Sequence, residues 1–396
     1  MCCVLLIFIN FVRYMEKRYN KNLVFVVACL GMCFFGIATI VLGAVLPQLT
    51  AKLGFDNLQA AALVAFMPVG SLVGSTFFGP VVDRFGHKMM LIVCSIILLV
   101  GLQGVALFAE VWKLQLSIFL IGLGGGVLNG ETNSLASDIS AENEKGSRLS
   151  VLGVFYGVGA MSIPVLMRSL SARYEYNEIL HGLGVIMAVL IVGFMFVAFP
   201  APKQPKGFPI KKGFGLLKER GLLLLSFVLF FQSGIEVCCS TWTTTYFAQV
   251  TEVNSAEALT ALTCMIVGLT LSRVVLAVVY RKVKQETVLP YSLMVGAMGF
   301  LLLVAIPNAW GAWCGMFLVG AGLAATFPTV LSWLGRMYAE LSGTAFSIAI
   351  AVGLIGQLVL NYSTGALSHV FGIEFFPFLM IGAIAVMLVL VKRIGK

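Results

Sequence analysis

Long apolar runs follow one another along almost the whole chain, with short polar segments between them. Each run has about the length that a helix needs to cross a bilayer, roughly 20 residues. A backbone in lipid must satisfy its own hydrogen bonds, and the short alternating segments of a membrane barrel do not occur, so each run predicts a helix. Twelve spans are predicted near residues 22–49, 57–82, 88–109, 112–137, 147–170, 179–200, 220–248, 256–280, 287–306, 309–335, 341–366 and 373–391.

The composition excludes a soluble globular protein. Hydrophobic residues make up 60% of the chain and charged residues 11%, whereas a soluble domain carries roughly a quarter charged residues. The lipid bilayer is therefore the expected surroundings. The nine cysteines lie inside apolar runs and have no zinc-type spacing with histidines, so they are predicted to act as small packing residues. No metal and no cofactor are expected.

The distribution of positive charge predicts the orientation of the spans. Twelve spans put both termini on one side of the membrane, and 21 of the 26 Lys and Arg residues would then face that side. Cytoplasmic loops are enriched in these residues, which predicts cytoplasmic termini and a place in the plasma (inner) membrane. The same bias accounts for the net charge of +9 without a nucleic-acid partner.

One basic stretch with proline and glycine, residues 201–219, divides the chain into two predicted six-helix bundles, 22–200 and 220–396. Residues 1–21 form a lead. The apolar stretch 1–14 at its beginning is too short to span and is interpreted either as a signal peptide or, preferably, as sequence ahead of a start at Met15. One constant offset along the chain pairs Gly36 with Gly234, Gly70 with Gly268, Gly101 with Gly299, Gly122 with Gly320, Gly124 with Gly322 and Gly184 with Gly382. These pairs favour two parallel repeats, and a monomer is expected.

The loop between predicted spans 2 and 3 has the pattern of a gate. Its gating candidates are Gly79, Asp83, Arg84, Gly86 and Lys88, with Asp138 at the end of span 4. Gly79 allows two helices to approach closely. Asp83 is expected at the start of the next helix or paired with a base across the bundle. Arg84 and Lys88 are expected to hold the cytoplasmic side, with Asp138 as the partner of Arg84. An ordinary basic turn is the alternative.

Ionisable and amide side chains inside apolar runs are the candidates for solute contact and coupling. A carboxylate within a span is costly and by default functional, and Glu131 and Glu236 are such residues. Gln232 shares a helix face with Glu236, and Asn129 with Asn133, because each pair is four residues apart. Glu131 points away from the asparagines, so it is predicted to be a packing or coupling residue. For Glu236, a structural hydrogen bond to a neighbouring helix is the alternative to coupling or solute contact.

Several spans resemble the fucose-permease-like branch of the major facilitator superfamily. The matching segments are Phe35-Gly36-Ile37-Ala38-Thr39 and Leu46-Pro47-Gln48-Leu49 in span 1, Gly122-Leu123-Gly124-Gly125-Gly126 and Asn133 in span 4, Gly234-Ile235-Glu236, Trp242 and Tyr246 in span 7, Gly320-Ala321-Gly322 and Phe327-Pro328-Thr329 in span 10, and Gly343-Thr344-Ala345-Phe346 in span 11. The resemblance covers the chain from about residue 22. It implies an all-α, twelve-helix fold and a secondary transporter that moves a small polar solute, expected to be a sugar, by alternating access with a proton or a sodium ion.

The same resemblance implies a set of solute-binding residues. Hydrogen bonds are expected from Asn129, Asn133, Gln232, Glu236, Gln357 and Asn361, and an aromatic face from Trp242, Tyr246 and Tyr156. The alternative places Trp242 and Tyr246 in the interfacial aromatic belt. The branch carries acidic residues where this chain has Gly43 and Asn129, which leaves Glu131 and Glu236 as the coupling candidates. Sodium-linked and uncoupled transport stay open.

Two other functions are weighed against a sugar transporter. An exporter of drugs or metabolites would use the same fold, but its cavity would be apolar and aromatic rather than rich in amides. A sensor or an intramembrane enzyme belongs to another class. Neither a nucleophile with its base nor a metal-binding motif is present, so no enzymatic activity is expected, while a sensor would bind solute without moving it.

Overall fold

The apolar runs form helices. A computed structural model describes residues 19–55, 57–205, 209–251, 253 and 255–394. In chain order the helices are α1 Lys21–Leu53, α2 Asn57–Phe85, α3 His87–Leu107, α4 Val111–Ile139, α5 Lys145–Leu170, α6 Tyr176–Met195, α7 Ile210–Leu216, α8 Arg220–Val250, α9 Ser255–Val279, α10 Gln285–Ala305, α11 Ala309–Leu323, α12 Thr326–Met337, α13 Ser342–Phe371 and α14 Phe376–Ile394. Two 3-10 turns, Ala339–Leu341 and Ile373–Phe375, precede α13 and α14. Residues 1–18 of the predicted lead, which include the predicted start at Met15, lie outside the described residues.

Twelve helical segments of the described chain are long and apolar enough to cross a membrane. Helices α11 and α12 together make one of them, Ala309–Met337, whereas α7 has only seven residues. This confirms the predicted all-α class and the count of spans. The predicted bounds agree to within a few residues, with the largest difference at α6, which begins at Tyr176 and ends at Met195. The Glu178 carboxylate accepts a hydrogen bond from the Glu175 amide at 2.9 Å and so starts this helix early.

Four of the six glycine pairs that the constant offset relates occupy equivalent packing positions. Four pairs have partners at the same offset: Gly70 on Phe119 and Gly268 on Phe317, Gly122 on Met67 and Gly320 on Met265, Gly101 on Ile121 and Gly299 on Val319, and Gly124 on Leu98 and Gly322 on Gly296. A methyl group at any of these glycines would collide with the partner backbone. Two pairs do not follow the pattern. Gly36 lies against Tyr156 and Ala160 whereas Gly234 lies against Gly356 and Leu360, and nothing lies within 4 Å of the Gly382 position. The shared contacts support an internal repeat.

The described residues pack into two units. The first contains the described residues up to Ser140, then Phe155–Gly213 and Ala339–Ser347. The second contains Ala141–Val154, Phe214–Tyr338 and the described residues from Ile348 onward. The first turns of α13 thus pack in the first unit, and the first turns of α5 pack in the second. The division of the chain at residues 201–219 and the orientation of the termini stay predictions.

Candidate functional site

A single residue, Gly86, joins α2 to α3. Both Gly86 and Gly79, which lies in the last turns of α2, have a steric role. Gly86 has a φ of 87°, a conformation that glycine adopts without strain, and this allows α3 to begin directly at His87. Gly79 lies against the start of α13, where an added methyl group would be 2.6 Å from Thr344 Cα. Gly79 therefore allows the close approach of α2 to α13 within the first unit, and Gly86 allows the direct turn from α2 to α3.

Asp83 caps α13. Its side chain is 2% exposed and accepts hydrogen bonds from the Gly343 amide at 3.2 Å, the Thr344 amide at 2.9 Å and the Thr344 hydroxyl at 2.6 Å. The first amides of a helix have no partner within the helix and carry a partial positive charge. Asp83 therefore meets neither the start of the next helix nor a base across the bundle, the two positions that the sequence suggested. It satisfies the beginning of a helix that lies in the other half of the sequence.

Next to Asp83, the ring of His87 lies between two carboxylates of α4. Its Nδ1 is 2.9 Å from Glu131 Oε1, and its Nε2 is 2.9 Å from Asp138 Oδ2. Glu131 is fully buried, and its Oε2 has no hydrogen-bond partner among the described residues. Both bonds need a proton, so the three side chains together hold two protons. Loss of one of these protons would break one of the two hydrogen bonds.

Lys203 completes this group, which we call the charge cluster: Asp83, His87, Glu131, Asp138 and Lys203. The Lys203 ammonium is 2.7 Å from Asp138 Oδ2 and 2.6 Å from the Ser342 hydroxyl. The sequence alone assigned no role to His87 or Lys203. The sole signals for them were the position of the histidine in the gate loop and the basic character of the linker.

Two expectations for the basic residues of the gate loop are corrected. Arg84 is not the partner of Asp138, because its side chain is exposed and its guanidinium lies 5.0 Å from the centre of the Phe85 ring. Asp138 is bound instead by His87 and Lys203. Lys88 is 7% exposed, and its Nζ has no hydrogen-bond partner among the described residues, so it does not hold the surface of the loop.

In the second unit, the start of α5 contacts α12 and α9 through basic side chains. Lys145 donates to the Gly335 carbonyl at 2.9 Å, and the buried Arg273 donates to the Gly153 carbonyl at 3.3 Å. Tyr280 Oη lies 2.7 Å from Thr329 Oγ1, and burial raises the pKa of the Tyr280 hydroxyl far above its usual range. The contacts of Lys145 and Arg273 use backbone carbonyls as acceptors, whereas the charge cluster of the first unit uses carboxylates.

The predicted solute residues of the second unit form two hydrogen-bonded pairs on α8 and α13. Gln232 donates to Glu236 Oε2 at 2.9 Å, and Trp242 donates to Asn361 Oδ1 at 2.8 Å. Gln357 lies one turn before Asn361 on α13 and, like Glu236, Trp242 and Asn361, is partly exposed. The helices approach closely at Gly234, where an added methyl group would be 3.0 Å from the Gly356 carbonyl oxygen.

Tyr246 lies apart from these pairs. It is 3% exposed, and its ring packs 5.4 Å from the Phe247 ring and 5.9 Å from the Phe376 ring. In this position it has neither the free face that a sugar needs nor the exposure of an interfacial belt residue. Trp242 is partly exposed, and a methyl group added at Gly365 would lie 3.0 Å from Cζ2 of its six-membered ring.

The asparagines of the first unit pair along α4. Asn133 donates from Nδ2 to the Asn129 carbonyl at 2.7 Å and is 3.2 Å from Asn129 Oδ1. Glu131, as expected, points away from them, toward α3. The predicted aromatic neighbour Tyr156 has its ring 5.3 Å from that of Phe35.

Comparison with known proteins assigns the family. The model of the Major Facilitator Superfamily matches residues 28–361. The chain belongs to this superfamily. The match confirms an integral multi-pass protein of the plasma membrane and a transporter family rather than an enzyme family, as the sequence predicted.

Two curated relatives and one solved structure are similar along different shares of the chain. The glucose/mannose transporter GlcP of Bacillus subtilis is 23% identical over 350 residues, which cover 85% of this chain and 86% of GlcP. The D-xylose transporter of Levilactobacillus brevis is 23% identical over 198 residues, 50% of this chain but only 42% of that protein. The E. coli fucose:proton symporter FucP has a TM-score of 0.81 at 17% identity, covering 95% of this chain and 100% of that one.

Proposed function

We propose that this chain carries a monosaccharide across the membrane together with a proton, by alternating access. The observation that carries the proposal is the pair of polar contacts on α8 and α13, Gln232 with Glu236 and Trp242 with Asn361. Both lie within apolar helices, where polar groups are costly and mark solute pathways. The relatives named for xylose, glucose and mannose transport, and the fold shared with a fucose:proton symporter, support the same solute class.

The chemistry of these groups suits a sugar. A pyranose presents hydroxyls that need both donors and acceptors, and an apolar ring face that stacks on an aromatic ring. Trp242 offers the ring, and its hydrogen bond to Asn361 fixes the orientation of the indole. Glu236 and Gln357 are partly exposed on the same two helices, and Asn129 and Asn133, which lie in the first unit, stay predicted solute residues. Tyr246 is left out of the proposed contact set because its ring is packed on both sides.

The coupling proton is assigned to the charge cluster. The acidic positions of the related branch are occupied by Gly43 and Asn129. The buried Glu131 carboxyl group has one oxygen without a hydrogen-bond partner among the described residues. Its hydrogen bond to His87 exists only while a proton lies between Glu131 and His87 Nδ1. Asp83 and Lys203 are the neighbouring charges of the cluster, so a change in protonation acts directly beside the proposed gate. Glu236 then has the role of a solute ligand.

The gate is formed by the predicted residues of the α2–α3 loop together with the start of α13. The Asp83 cap and the contact at Gly79 exist only while the start of α13 packs against α2. They therefore stabilise the conformation of the transport cycle in which this gate is closed. With both termini on the cytoplasmic side, as the charge bias predicts, this would be the cytoplasmic gate.

The experiment is uptake of radiolabelled xylose, glucose, mannose, galactose and fucose into proteoliposomes. Each sugar is measured without a gradient, with an inward proton gradient and with a sodium gradient. Accumulation above equilibrium under the proton gradient is expected for at least one sugar. An absence of uptake in all three conditions would reject sugar transport. Accumulation only with the sodium gradient would reject proton coupling.

Two variants separate the proposed roles of the carboxylates. Glu131→Gln is expected to abolish accumulation while equilibrium exchange of the sugar continues. Glu236→Gln is expected to raise KM in both assays. Glu142→Gln, in an exposed loop, is the control and should match the wild type. If Glu236→Gln keeps exchange and loses accumulation, the coupling role belongs to Glu236 instead.

A further inference from the structure

The segment that follows α6 is held against the gate loop. Phe199 is buried, with 4% of its surface exposed, and anchors the chain just before residue 200. The Gln204 amide donates to the Asp83 carbonyl oxygen at 2.8 Å. Pro202 packs on the turn at Gly86, where an added methyl group would lie 3.2 Å from Pro202 Cγ. The beginning of the inter-bundle linker therefore belongs to the folded gate region rather than to a free tether.

These contacts direct the Lys203 side chain into the charge cluster. Its ammonium donates to the Ala339 carbonyl oxygen at 2.8 Å and to the Ser342 hydroxyl at 2.6 Å, and it lies 2.7 Å from Asp138 Oδ2. The Ser342 hydroxyl in turn donates to Asp138 Oδ1 at 2.9 Å. An ammonium group has three donors, and here each has an acceptor. Two of the three acceptors belong to the turn and first residue of α13, and the third belongs to the end of α4.

We propose that Lys203 is a gating residue that latches the start of α13 to α4 and so couples the inter-bundle linker to the gate. The proposal rests on the proposed alternating-access function, but it concerns a residue outside the predicted gate loop. In the latched state Lys203 and Asp83 hold the same short segment of α13 from two sides. Release of the gate requires that the ammonium leave Ala339 and Ser342 together.

The Lys203 contact also explains how the negative charge of a buried cluster with three carboxylates is compensated. Asp138 Oδ2 receives both His87 Nε2 at 2.9 Å and Lys203 Nζ at 2.7 Å. Without the lysine, the cluster would keep Asp83, Glu131 and Asp138 with a single cationic partner. Because the Lys203 and Asp138 side chains are only 24% and 10% exposed, water replaces the lost contact poorly.

Hydrogen exchange of the purified protein without any sugar tests the latch separately from transport. Lys203→Met is expected to raise exchange of the peptide covering residues 339–347 about tenfold, the factor that corresponds to one lost charge-assisted hydrogen bond. Lys203→Arg should restore protection, since a guanidinium can also reach several acceptors. Lys211→Met removes an exposed lysine of the same linker and should change nothing. Amide hydrogen exchange of residues 285–305, in the second unit, serves as the control that reports global unfolding.

A second variant covers the case in which Lys203→Met does not fold. Ser342→Ala keeps the lysine but removes one of its acceptors and the link to Asp138, so a smaller rise in exchange of residues 339–347 is expected. The proposal is overturned if Lys203→Met leaves this peptide as protected as in Lys211→Met, or if residues 285–305 exchange equally faster. It is also overturned if Lys203→Arg behaves like Lys203→Met. A failure of sugar uptake with an intact exchange pattern would reject the proposed function and leave the latch.

Discussion

The substitution Asp83→Asn tests how α13 is held. The carboxylate accepts three hydrogen bonds from the first turn of α13, at distances of 2.6 to 3.2 Å. Asparagine has nearly the same shape, but it has one acceptor oxygen in place of two. Its amide group therefore faces either the Gly343 amide, which donates to Oδ1 of Asp83, or the Thr344 donors, which donate to Oδ2. The cap loses its charge, and at least one backbone amide loses its acceptor.

The size of the effect follows from this geometry. A hydrogen bond to a charged group contributes about 1.5–3 kcal/mol, and Asp83 is 2% exposed, so solvent screening is small. Since one acceptor remains, we expect a net loss of about 2 kcal/mol, which corresponds to roughly a 30-fold shift in the equilibrium between attached and detached α13. Thr344→Val removes only the hydroxyl donor and should cost about 1.5 kcal/mol, the lower limit of that range, or roughly tenfold.

Hydrogen exchange at Gly343 and Thr344, resolved by overlapping peptides, measures this equilibrium. Exchange should rise in the order wild type, Thr344→Val, Asp83→Asn, with no change in residues 285–305. The reasoning fails if Asp83→Asn leaves these amides protected, because the cap would then not be holding α13. It also fails if Thr344→Val has the larger effect, because the charge would then contribute nothing.

Three further substitutions probe the gate loop, the solute site and the charge cluster. Gly79→Leu should prevent α13 from packing on α2 and reduce the maximal uptake rate at least tenfold, since its Cβ alone meets Thr344 Cα at 2.6 Å. Trp242→Phe loses the hydrogen bond to Asn361 and should raise KM about fivefold with little change in maximal rate, as expected for one neutral bond. His87→Gln leaves one of two buried carboxylates without its donor and should lower the melting temperature, measured by fluorescence.

Matched controls separate these effects from general damage. Gly182→Leu adds the same side chain where nothing lies within 4 Å and should keep wild-type uptake. Trp310→Phe changes a tryptophan that is 71% exposed and should keep the wild-type KM. His369→Gln alters an exposed histidine and should keep the melting temperature. Equal effects in a variant and its control would contradict the role assigned to that variant.

Most of the fold could be predicted from the sequence because lipid allows few structures for an apolar run. Span bounds, span number and the close packing at the repeated glycines all follow from local pattern. The close helix approach at Gly79 was predicted for the same reason, since it depends on the absence of a side chain, while the gating role of the loop stays a prediction. The partner of Asp83 could not be predicted, because it lies at the start of a helix in the other half of the sequence.

Most contacts of the charge cluster could not be predicted from the local sequence. Glu131 was correctly directed away from Asn129 and Asn133 by helical periodicity. Nothing local indicated that His87 would meet it, since a histidine in a basic turn is usually solvated. Lys203 was assigned to the linker because charge counting treats loop lysines as equivalent, and only the tertiary fold distinguishes it from its neighbours.

The most direct test of the central claim is a pH electrode in a lightly buffered suspension of proteoliposomes. Addition of the transported monosaccharide in the absence of any imposed gradient should make the external medium more alkaline, because each sugar that enters takes a proton with it. The alkaline shift should disappear with Glu131→Gln and persist with Glu142→Gln. Sugar entry measured in parallel without any pH change would contradict proton-coupled sugar transport.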